Sequence, residues 1–421
     1  MKDGKALFAR LNEFRKRIKV DSFTIAGVRL TFSGITEEAN HFREIVNRIA
    51  KVNNKSHEVF VISAHNIDEI KLIDKISSDH ECEIFGCPTK EPGGSGANSA
   101  YILALLGVDT AVAGAIGEDE DGQLLESSLR QAGVNTELLY RASHYPSGKT
   151  TTIVEESGKR LIAVSPGINN EFHALCSYED ILERASNAKI VHLSSFAGKS
   201  EIQLQEQLAS EVKGKSIVSL TPGAIYSKKG LDRLNGLIKN VDLVFLYAEQ
   251  LESLVNRSSA KSFLGGGGVC DFLEALYKWR GKKKHTSPLI VVVKDAFDGT
   301  MKHTTRRFLS VGVGVSELDS YMHPEELEPN VRLDMPDSTG AGDAAVAGFL
   351  VGMLNRASME SCIDAAFIMS SFASTRVGAR TAYEEASGNI ESLDSFSDNQ
   401  STAIKSEVNV EKNTLIRVDN N

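Results

Sequence analysis

Short runs of mostly apolar, β-branched residues recur along the chain and are separated by longer stretches with helical periodicity. The runs are VFVIS at 59–63, IVHLSS at 190–195, KSIVSL at 215–220, DLVFL at 242–246 and LIVVV at 289–293. Strands that are apolar on both faces are typical of a parallel sheet covered by helices on both sides. The pattern therefore predicts an α/β fold with a doubly wound, mainly parallel sheet, and helices over 96–106, 121–132, 201–211 and 269–279.

Two segments interrupt this alternation, at about 69–92 and 146–167. Both contain short runs in which apolar and polar residues alternate, and the second contains the turn Ser157-Gly158. Such alternation indicates strands with one exposed face, so we expect a small antiparallel β sheet outside the main one. That sheet would act as a lid over the carboxyl ends of the core strands, where open α/β sheets bind ligands.

The flanks differ in composition from the predicted core domain at 58–383. Residues 1–57 form an N-terminal extension with helical patterns around Leu7–Ile18 and Glu37–Ala50. The first pattern lacks the apolar region of a secretory signal, which leaves an organellar presequence or a docked surface helix as alternatives. The polar residues 384–421 predict a disordered tail.

Charge and cysteine content limit the partners of the chain. The net charge of -9 argues against a nucleic-acid binder, and no apolar run approaches the roughly 18 residues of a membrane span. Five cysteines are an odd number, which suits a reducing compartment and predicts a cytoplasmic protein. Cys82, Cys87 and His80 could form half of a zinc site, but no second cluster completes it. A small-molecule substrate is the expected partner.

The segment DSTGAGD at 337–343 runs into the apolar helical pattern AAVAGFLVGML. The unpaired N–H groups and partial positive charge of a helix N-terminus bind anions such as a phosphoryl group. Asp343 beside that anion could take a proton from an attacking hydroxyl, which indicates phosphoryl transfer to an alcohol. The alternative is that Asp343 only caps the helix.

DSTGAGD closely resembles the second signature of the PfkB, or ribokinase-like, carbohydrate kinases, and PGGSGANSAYILALLG at 92–107 resembles the first. The two signatures occur in the family's order. The resemblance spans about 58–383 and continues through NID (66–68), GAIGEDEDG (114–122), VSPGIN (164–169), HLSSFAG (192–198), LTPGAIYSKKGL (220–231), VVVKDAFDGT (291–300) and VGAR (377–380). It implies a kinase that uses ATP and Mg²⁺, with K⁺ activation left open.

The resemblance also implies roles for individual residues. Asp343 matches the catalytic base, and the backbone N–H groups of the turn before it match the anion hole. The anion-hole positions are Gly340, Ala341 and Gly342. The positions that match contacts to the phosphoryl acceptor are Asn66, Asp68, Gly93, Gly94 and Asn98.

Nucleotide and cation sites follow from the same resemblance. The ATP-binding positions are Lys294, Ala296 and Gly299, and the metal positions are Glu249, Asp337 and Thr339. The family's Asn-x-x-Glu motif is altered, because Tyr247 or Ala248 replaces the Asn and Gln250 or Leu251 replaces the Glu, depending on register. Glu249 could still serve Mg²⁺, since a hard cation needs an oxygen anion nearby.

Two functions therefore remain open. The first is a kinase that phosphorylates a hydroxyl of a sugar, sugar phosphate or nucleoside. The second is a catalytically weakened protein that binds sugars or nucleotides as a regulatory module. Lys159 beside Arg160 on the lid favours an anionic acceptor, unless both are solvated turn charges. The family also implies a homodimer formed through the lid. A dinucleotide oxidoreductase is disfavoured because no G-x-G-x-x-G follows the first strand.

Overall fold

The computed structural model describes most of the chain between residues 38 and 388. The described residues are 38–51, 57–73, 84–155, 160–265, 269–283, 289–294, 309–314, 320–322, 339–357, 362, 365–366, 369–370, 372–374 and 378–388. The helical pattern at Leu7–Ile18, His80, Lys159 and residues 389–421 lie outside this part.

The described strands and helices alternate along the chain. The strands are β1 (Val59–Ile62), β2 (Asn66–Ile73), β3 (Ile84–Gly93), β4 (Thr110–Gly117), β5 (Asn135–Ala142), β6 (Gly148–Glu155), β7 (Arg160–Ser165), β8 (Ile190–Ser194), β9 (Ile217–Thr221), β10 (Leu243–Tyr247), β11 (Leu289–Lys294), β12 (Leu309–Gly314) and β13 (Ser320–Met322). The helices are α1 (Glu38–Lys51), α2 (Ser95–Leu105), α3 (Glu120–Gln131), α4 (Phe172–Leu175), α5 (Tyr178–Asn187), α6 (Lys199–Val212), α7 (Gly223–Ser227), α8 (Asn235–Ile238), α9 (Ala248–Asn256), α10 (Val269–Lys282), α11 (Ala341–Leu354) and α12 (Thr381–Gly388). Short 3-10 helices lie at Gly167–Glu171 and Ser259–Phe263.

The main sheet has the strand order β13-β12-β11-β10-β9-β8-β1-β4-β5. The strands from β11 to β5 run parallel, and β12 and β13 continue the sheet antiparallel. Alternate residues of β1 face opposite sides, Val59 and Val61 to one apolar cluster and Phe60 and Ile62 to the other. Helices cover both faces, so the predicted doubly wound α/β fold is confirmed, and the five apolar runs all form parallel strands.

A second, four-stranded sheet has the order β3-β2-β6-β7. Its strands come from the two segments that interrupted the core pattern, and we call it the lid sheet. The pairs β2–β3 and β6–β7 are antiparallel, but β2 and β6 run parallel to each other. The lid sheet is therefore mixed, and not antiparallel throughout as the alternating runs predicted, because β2 and β6 both leave the core in the same direction.

Helix α1 precedes the first core strand and belongs to the core. Its apolar side chains Phe42, Ile45, Val46 and Ile49 are all buried. Phe42 packs edge-on against Phe349 of α11, with ring centroids 6.5 Å apart. No helix in the described ranges is long and apolar enough to cross a membrane.

The buried face of α1 also carries a charged contact at the amino ends of the core strands. Arg48 Nη1 donates to Asp242 Oδ1 at 2.6 Å, and Nη2 donates to the Ser216 carbonyl at 3.1 Å. The Asp242 side chain is only 4% exposed, so Arg48 and the Val218 N–H, which both donate to it, replace the water that would otherwise solvate the carboxylate. The contact fixes α1 against β9 and β10.

Replacing Arg48 by Met is therefore expected to lower the free energy of unfolding by about 2 kcal/mol, because it leaves a buried carboxylate without its cation. Urea unfolding followed by circular dichroism measures this loss. Lys278→Met is the matched control, since Lys278 and Glu274 form an exposed pair that should contribute no more than about 0.5 kcal/mol. Equal losses in the two variants would contradict the conclusion that the buried contact stabilises the fold more than the exposed pair does.

Candidate active site

The DSTGAGD segment leads into helix α11 through a left-handed turn at Gly340. Gly340 has φ 73°, and a Cβ atom there would lie 2.6 Å from the Ala379 Cα atom, so both conformation and space require glycine. The first turn of α11 contains Ala341, Gly342 and Asp343. Their N–H groups lie at a helix N-terminus, where such groups have no helical partner.

Both carboxylate oxygens of Asp343 accept hydrogen bonds from helix α2. Ser95 Oγ donates to Oδ1 at 2.6 Å, and Asn98 Nδ2 donates to Oδ2 at 3.0 Å. Ser99 Oγ donates to the Asp343 backbone carbonyl at 3.0 Å. The two signatures, which are 245 residues apart at Asn98 and Asp343, thus meet in one site and hold the carboxylate in one orientation.

The environment of Asp343 acts on its pKa in two directions. Burial raises the pKa above its usual value, and the hydrogen bonds from Ser95 and Asn98 together with the charges of Lys294 and Arg380 oppose that rise. The net direction is upward. A carboxylate with a raised pKa is a stronger base than an exposed aspartate, which suits proton removal from an alcohol.

Asp68 lies in the same site, at the third residue of β2. Burial raises its pKa to about 7 against a hydrogen bond from Thr150, and the neighbouring Asp343 charge acts in the same direction as burial. A Cβ atom on Gly93 would collide with the Asp68 carboxylate, so glycine leaves room for that carboxylate. Gly94 has φ 96° and a Cβ atom there would lie 2.5 Å from the Ala64 carbonyl oxygen.

Asn66 lies at the point where β2 leaves the core. Its Oδ1 accepts a hydrogen bond from Asn169 Nδ2 at 3.1 Å. Asn169 also donates to the His65 carbonyl and accepts from the His65 N–H, both at 2.9 Å. Asn66 and Asp68 therefore lie in the first strand of the lid sheet, three and five residues after Ser63, which follows the core strand β1. Asn169 fixes the base of that sheet.

Lys294 ends β11 and reaches the turn at Gly340–Gly342, the predicted anion hole. Its Nζ donates to the Gly342 carbonyl at 3.1 Å and lies 4.5 Å from the centroid of the Tyr247 ring. A Cβ atom on Gly342 would lie 2.7 Å from this Nζ atom, so Gly342 lets the lysine approach the start of α11. Ala296 and Gly299, the other predicted ATP-binding positions, lie outside the described residues.

The predicted metal positions are less fully described. Glu249 is an exposed residue in the first turn of α9, and Gln250 Oε1 accepts from the Tyr247 N–H at 3.0 Å. Thr339 precedes the Gly340 turn, and Asp337 lies outside the described residues. No group of three or more His, Cys, Asp or Glu residues that could hold a metal occurs in the described part of the chain. Arg160 begins β7, but its side chain is not among those described.

Two polar contacts of the site were not anticipated from the sequence. Ser95 belongs to the first signature without being one of the predicted site residues, yet its hydroxyl donates to the Asp343 carboxylate. Arg380 is buried and its Nε donates to Asn98 Oδ1 at 2.9 Å. The motif GAR at 378–380 was visible as a family segment, but nothing in it indicates this partner.

Comparison with known proteins gives relatives that are described as kinases. An uncharacterized sugar kinase of Archaeoglobus fulgidus is 28% identical over 264 residues, which cover 62% of this chain and 89% of that protein. An ATP-dependent ribose-1-phosphate kinase of Halopiger xanaduensis is 27% identical over 291 residues, which cover 69% of this chain and 82% of that protein.

Solved structures share the fold at lower identity. Arabidopsis thaliana ribokinase, complexed with ribose and ATP, has a TM-score of 0.57 and 22% identity, covering 78% of this chain and 95% of that one. Anopheles gambiae adenosine kinase has a TM-score of 0.61 and 16% identity, covering 78% and 98%. The family model "pfkB family carbohydrate kinase" matches residues 56–301 and 324–386. This chain therefore belongs to the PfkB family of carbohydrate kinases.

Proposed function

We propose that this protein transfers the γ-phosphate of ATP to a hydroxyl of a sugar, sugar phosphate or nucleoside. The observation that carries the proposal is the arrangement around Asp343, whose two oxygens are held by Ser95 and Asn98 at the N-terminus of α11. Asp68 lies close enough for its charge to act together with that of Asp343. The match to the kinase family and the ATP bound in the Arabidopsis ribokinase support ATP as donor.

The chemistry follows from the roles of these groups. Asp68 accepts hydrogen bonds from hydroxyls of the acceptor and so orients the acceptor toward α11. Asp343 takes the proton of the attacking hydroxyl while the new P–O bond forms and the bond to ADP breaks. The N–H groups of Ala341 and Gly342 donate to the phosphoryl oxygens, whose charge must be stabilised during transfer. Lys294 adds positive charge beside this turn.

Mg²⁺ fits this site as an ion that arrives with the nucleotide. Magnesium in kinases is held by one or two carboxylates and by substrate phosphates, so a preformed cluster is not required. Glu249 is exposed at the start of α9 and would be the carboxylate that holds it. When bound, the ion neutralises charge on the transferred phosphate. Activation by K⁺ near Asp337 and Thr339 stays a prediction.

An acceptor panel tests the proposed function. Purified protein is mixed with ATP and Mg²⁺ and with ribose, fructose, ribose 1-phosphate, adenosine or cytidine, and acceptor-dependent release of ADP is measured. We expect release with at least one acceptor. No release with any acceptor, together with tight binding of a sugar or nucleotide in calorimetry, would instead favour the regulatory module, to which the altered residues Tyr247 and Gln250 also point.

The setting of the enzyme follows from its charge and thiols. We propose a cytoplasmic location. The free thiols of Cys176 and Cys362 support it, because they suit a reducing compartment in which ATP is available. The net charge of -9 supports small molecules as partners and no nucleic acid.

The lid sheet supports a homodimer. Strand β7 lies at the edge of that sheet, and its exposed apolar side chains Leu161, Ile162 and Val164 are 51%, 58% and 43% accessible. An exposed apolar edge strand is a template for pairing with a second chain.

Replacing Ile162 by Lys is therefore expected to shift the protein from dimer to monomer in analytical ultracentrifugation at micromolar concentration, because the charge interrupts the apolar edge. The free energy of unfolding of the monomer should change by less than about 0.5 kcal/mol, since the side chain is exposed. Leu124→Lys, at an exposed position on α3, is the control that should leave the dimer intact. A monomeric wild-type protein would contradict the dimer proposal.

A further inference from the structure

Arg380 is a buried cation beside the proposed catalytic carboxylate. The residue is only 2% exposed and directly precedes helix α12. Burial lowers the pKa of its guanidinium to about 10, so the group stays protonated at neutral pH. Removing a charge from water is costly unless other groups stabilise it. The groups that contact the Arg380 guanidinium must therefore account for its burial.

The guanidinium makes three described contacts, and all are with neutral groups. Nε donates to Asn98 Oδ1 at 2.9 Å, and Nη1 donates to Ser128 Oγ at 2.9 Å. The guanidinium carbon lies 4.9 Å from the centroid of the Tyr101 ring. Nη2 is buried without a hydrogen-bond partner among the described residues. The charge is thus held close to the site without being paired directly to a described carboxylate.

The contact with Asn98 determines how that amide is oriented. A guanidinium only donates, so it must face the oxygen of the amide, and the NH₂ group must then face the other side. On that side lies Asp343 Oδ2, which accepts from Asn98 Nδ2 at 3.0 Å. In the hydrogen-bonded series Arg380–Asn98–Asp343, only one orientation of the Asn98 amide therefore pairs each donor with an acceptor. If the amide turned over, oxygen would meet the carboxylate and NH₂ would meet the guanidinium.

The charge of Arg380 also acts on both carboxylates of the site. It lowers the pKa of Asp343 and that of Asp68, against the burial that raises both. Arg380 also interacts with Tyr101 on α2, Glu384 on α12 and His65 after β1. The other charges that act on the two carboxylates are Lys294 on β11 and Glu91 on β3.

We propose that Arg380 is a positioning residue of this kinase: it fixes the Asn98 amide against Asp343 and supplies positive charge to both Asp343 and Asp68. The inference rests on the proposed function for its kinetic consequence. The two contributions differ in what they require. Orientation of the Asn98 amide needs the planar guanidinium with its fixed N–H donors, whereas the charge effect needs only a cation at this position.

Two substitutions separate these contributions. Arg380→Lys keeps the charge and loses the fork, so we expect kcat to fall about 10- to 100-fold while the acid limb of the kcat/KM pH profile stays in place. Arg380→Met removes both, so we expect the same fall together with an upward shift of the acid limb by about one pH unit. Arg48→Met is the matched control, because it removes a partly buried arginine at the opposite end of the strands. It should leave the acid limb in place.

A second measurement does not depend on turnover. In the Met variant both carboxylates lose a cation, so the loss in free energy of unfolding relative to wild type should be larger at pH 8 than at pH 5. The loss in Lys278→Met, which removes the cation of an exposed pair, should be small and the same at both pH values. If wild type shows no acceptor-dependent turnover, the proposed function fails, and this stability comparison still tests Arg380. An unmoved acid limb in an active Met variant, or a stability loss independent of pH, would overturn the inference. If the Met variant does not fold, wild-type kcat in Arg380→Lys would overturn it.

Discussion

Replacing Asp343 by Asn is expected to lower kcat by about 10²- to 10⁴-fold, because the amide cannot take the proton of the attacking hydroxyl. Asparagine keeps the volume of aspartate: its oxygen can still accept from Asn98 Nδ2, and its NH₂ group can donate to Ser95 Oγ. The substitution leaves the turn at Gly340–Gly342, the proposed anion hole, unchanged. Acceptor-dependent ADP release at saturating ATP and acceptor measures the effect. KM should change much less than kcat, since the lost interaction belongs to the transition state.

Asp180→Asn is the control for this result. Asp180 is an exposed residue in the first turn of α5, so its replacement removes the same charge away from the site. We expect kcat of this variant to equal that of wild type. A fall of less than tenfold in Asp343→Asn would mean that another group, or water, accepts the proton. The role assigned to Asp343 would then be wrong.

Replacing Asp68 by Asn is expected to raise KM for the acceptor roughly 10- to 100-fold, which corresponds to one lost charge-assisted hydrogen bond. The same substitution is expected to stabilise the free protein above neutral pH. The folded protein holds the pKa of Asp68 at about 7, against a usual value of 3.8, because burial disfavours the charge. Affinity and stability should therefore change in opposite directions at one position.

The sign of the stability effect follows from proton linkage. A carboxyl group whose pKa is raised on folding stabilises the fold fully below its unfolded pKa, and that contribution is lost as the pH rises through about 7. Asparagine resembles the protonated form at every pH. Asp68→Asn should therefore be more stable than wild type at pH 8, by about 1–2 kcal/mol after allowance for partial exposure. The difference should vanish toward pH 4.

Thermal unfolding between pH 4 and pH 9 measures this difference, and Asp180→Asn again serves as control. The control should show no gain in stability that grows with pH. A wild-type protein that is more stable than Asp68→Asn at pH 8 would show that the ionised carboxylate is well solvated or paired in the free protein. The raised pKa would then not describe Asp68.

The core of the fold could be predicted from local sequence because its signal is local. Runs such as VFVIS and LIVVV are apolar on both faces, and only the interior of a covered parallel sheet hides both faces. The lid was harder to predict. Its alternating runs indicated strands, but the parallel pairing of β2 with β6 depends on where those strands leave the core. The division into three segments at residues 57 and 383 stays a prediction.

The candidate site likewise contains residues that could be predicted from local sequence and residues that could not. Asp343, Gly340 and Asn98 could be proposed because two contiguous signatures carry them. Arg380 could not, because its contact with Asn98 joins residues 282 apart and depends on how α2 packs beside α12. The hydrogen bond from the Ser95 hydroxyl to the Asp343 carboxylate could not be predicted either, because it joins residues 248 apart. Hydrogen bonds of this kind depend on tertiary packing and leave no periodic trace in the sequence.

Helix α1 extends the folded core of the kinase beyond the borders of the family match. The family match begins at residue 56, after the helix has ended, yet four apolar side chains of α1 lie in the same core as the helix that carries Asp343. The kinase body cannot be trimmed to its family borders without stripping part of its own interior. Removal of residues 38–51 would thus endanger folding itself, and helix α1 is not dispensable.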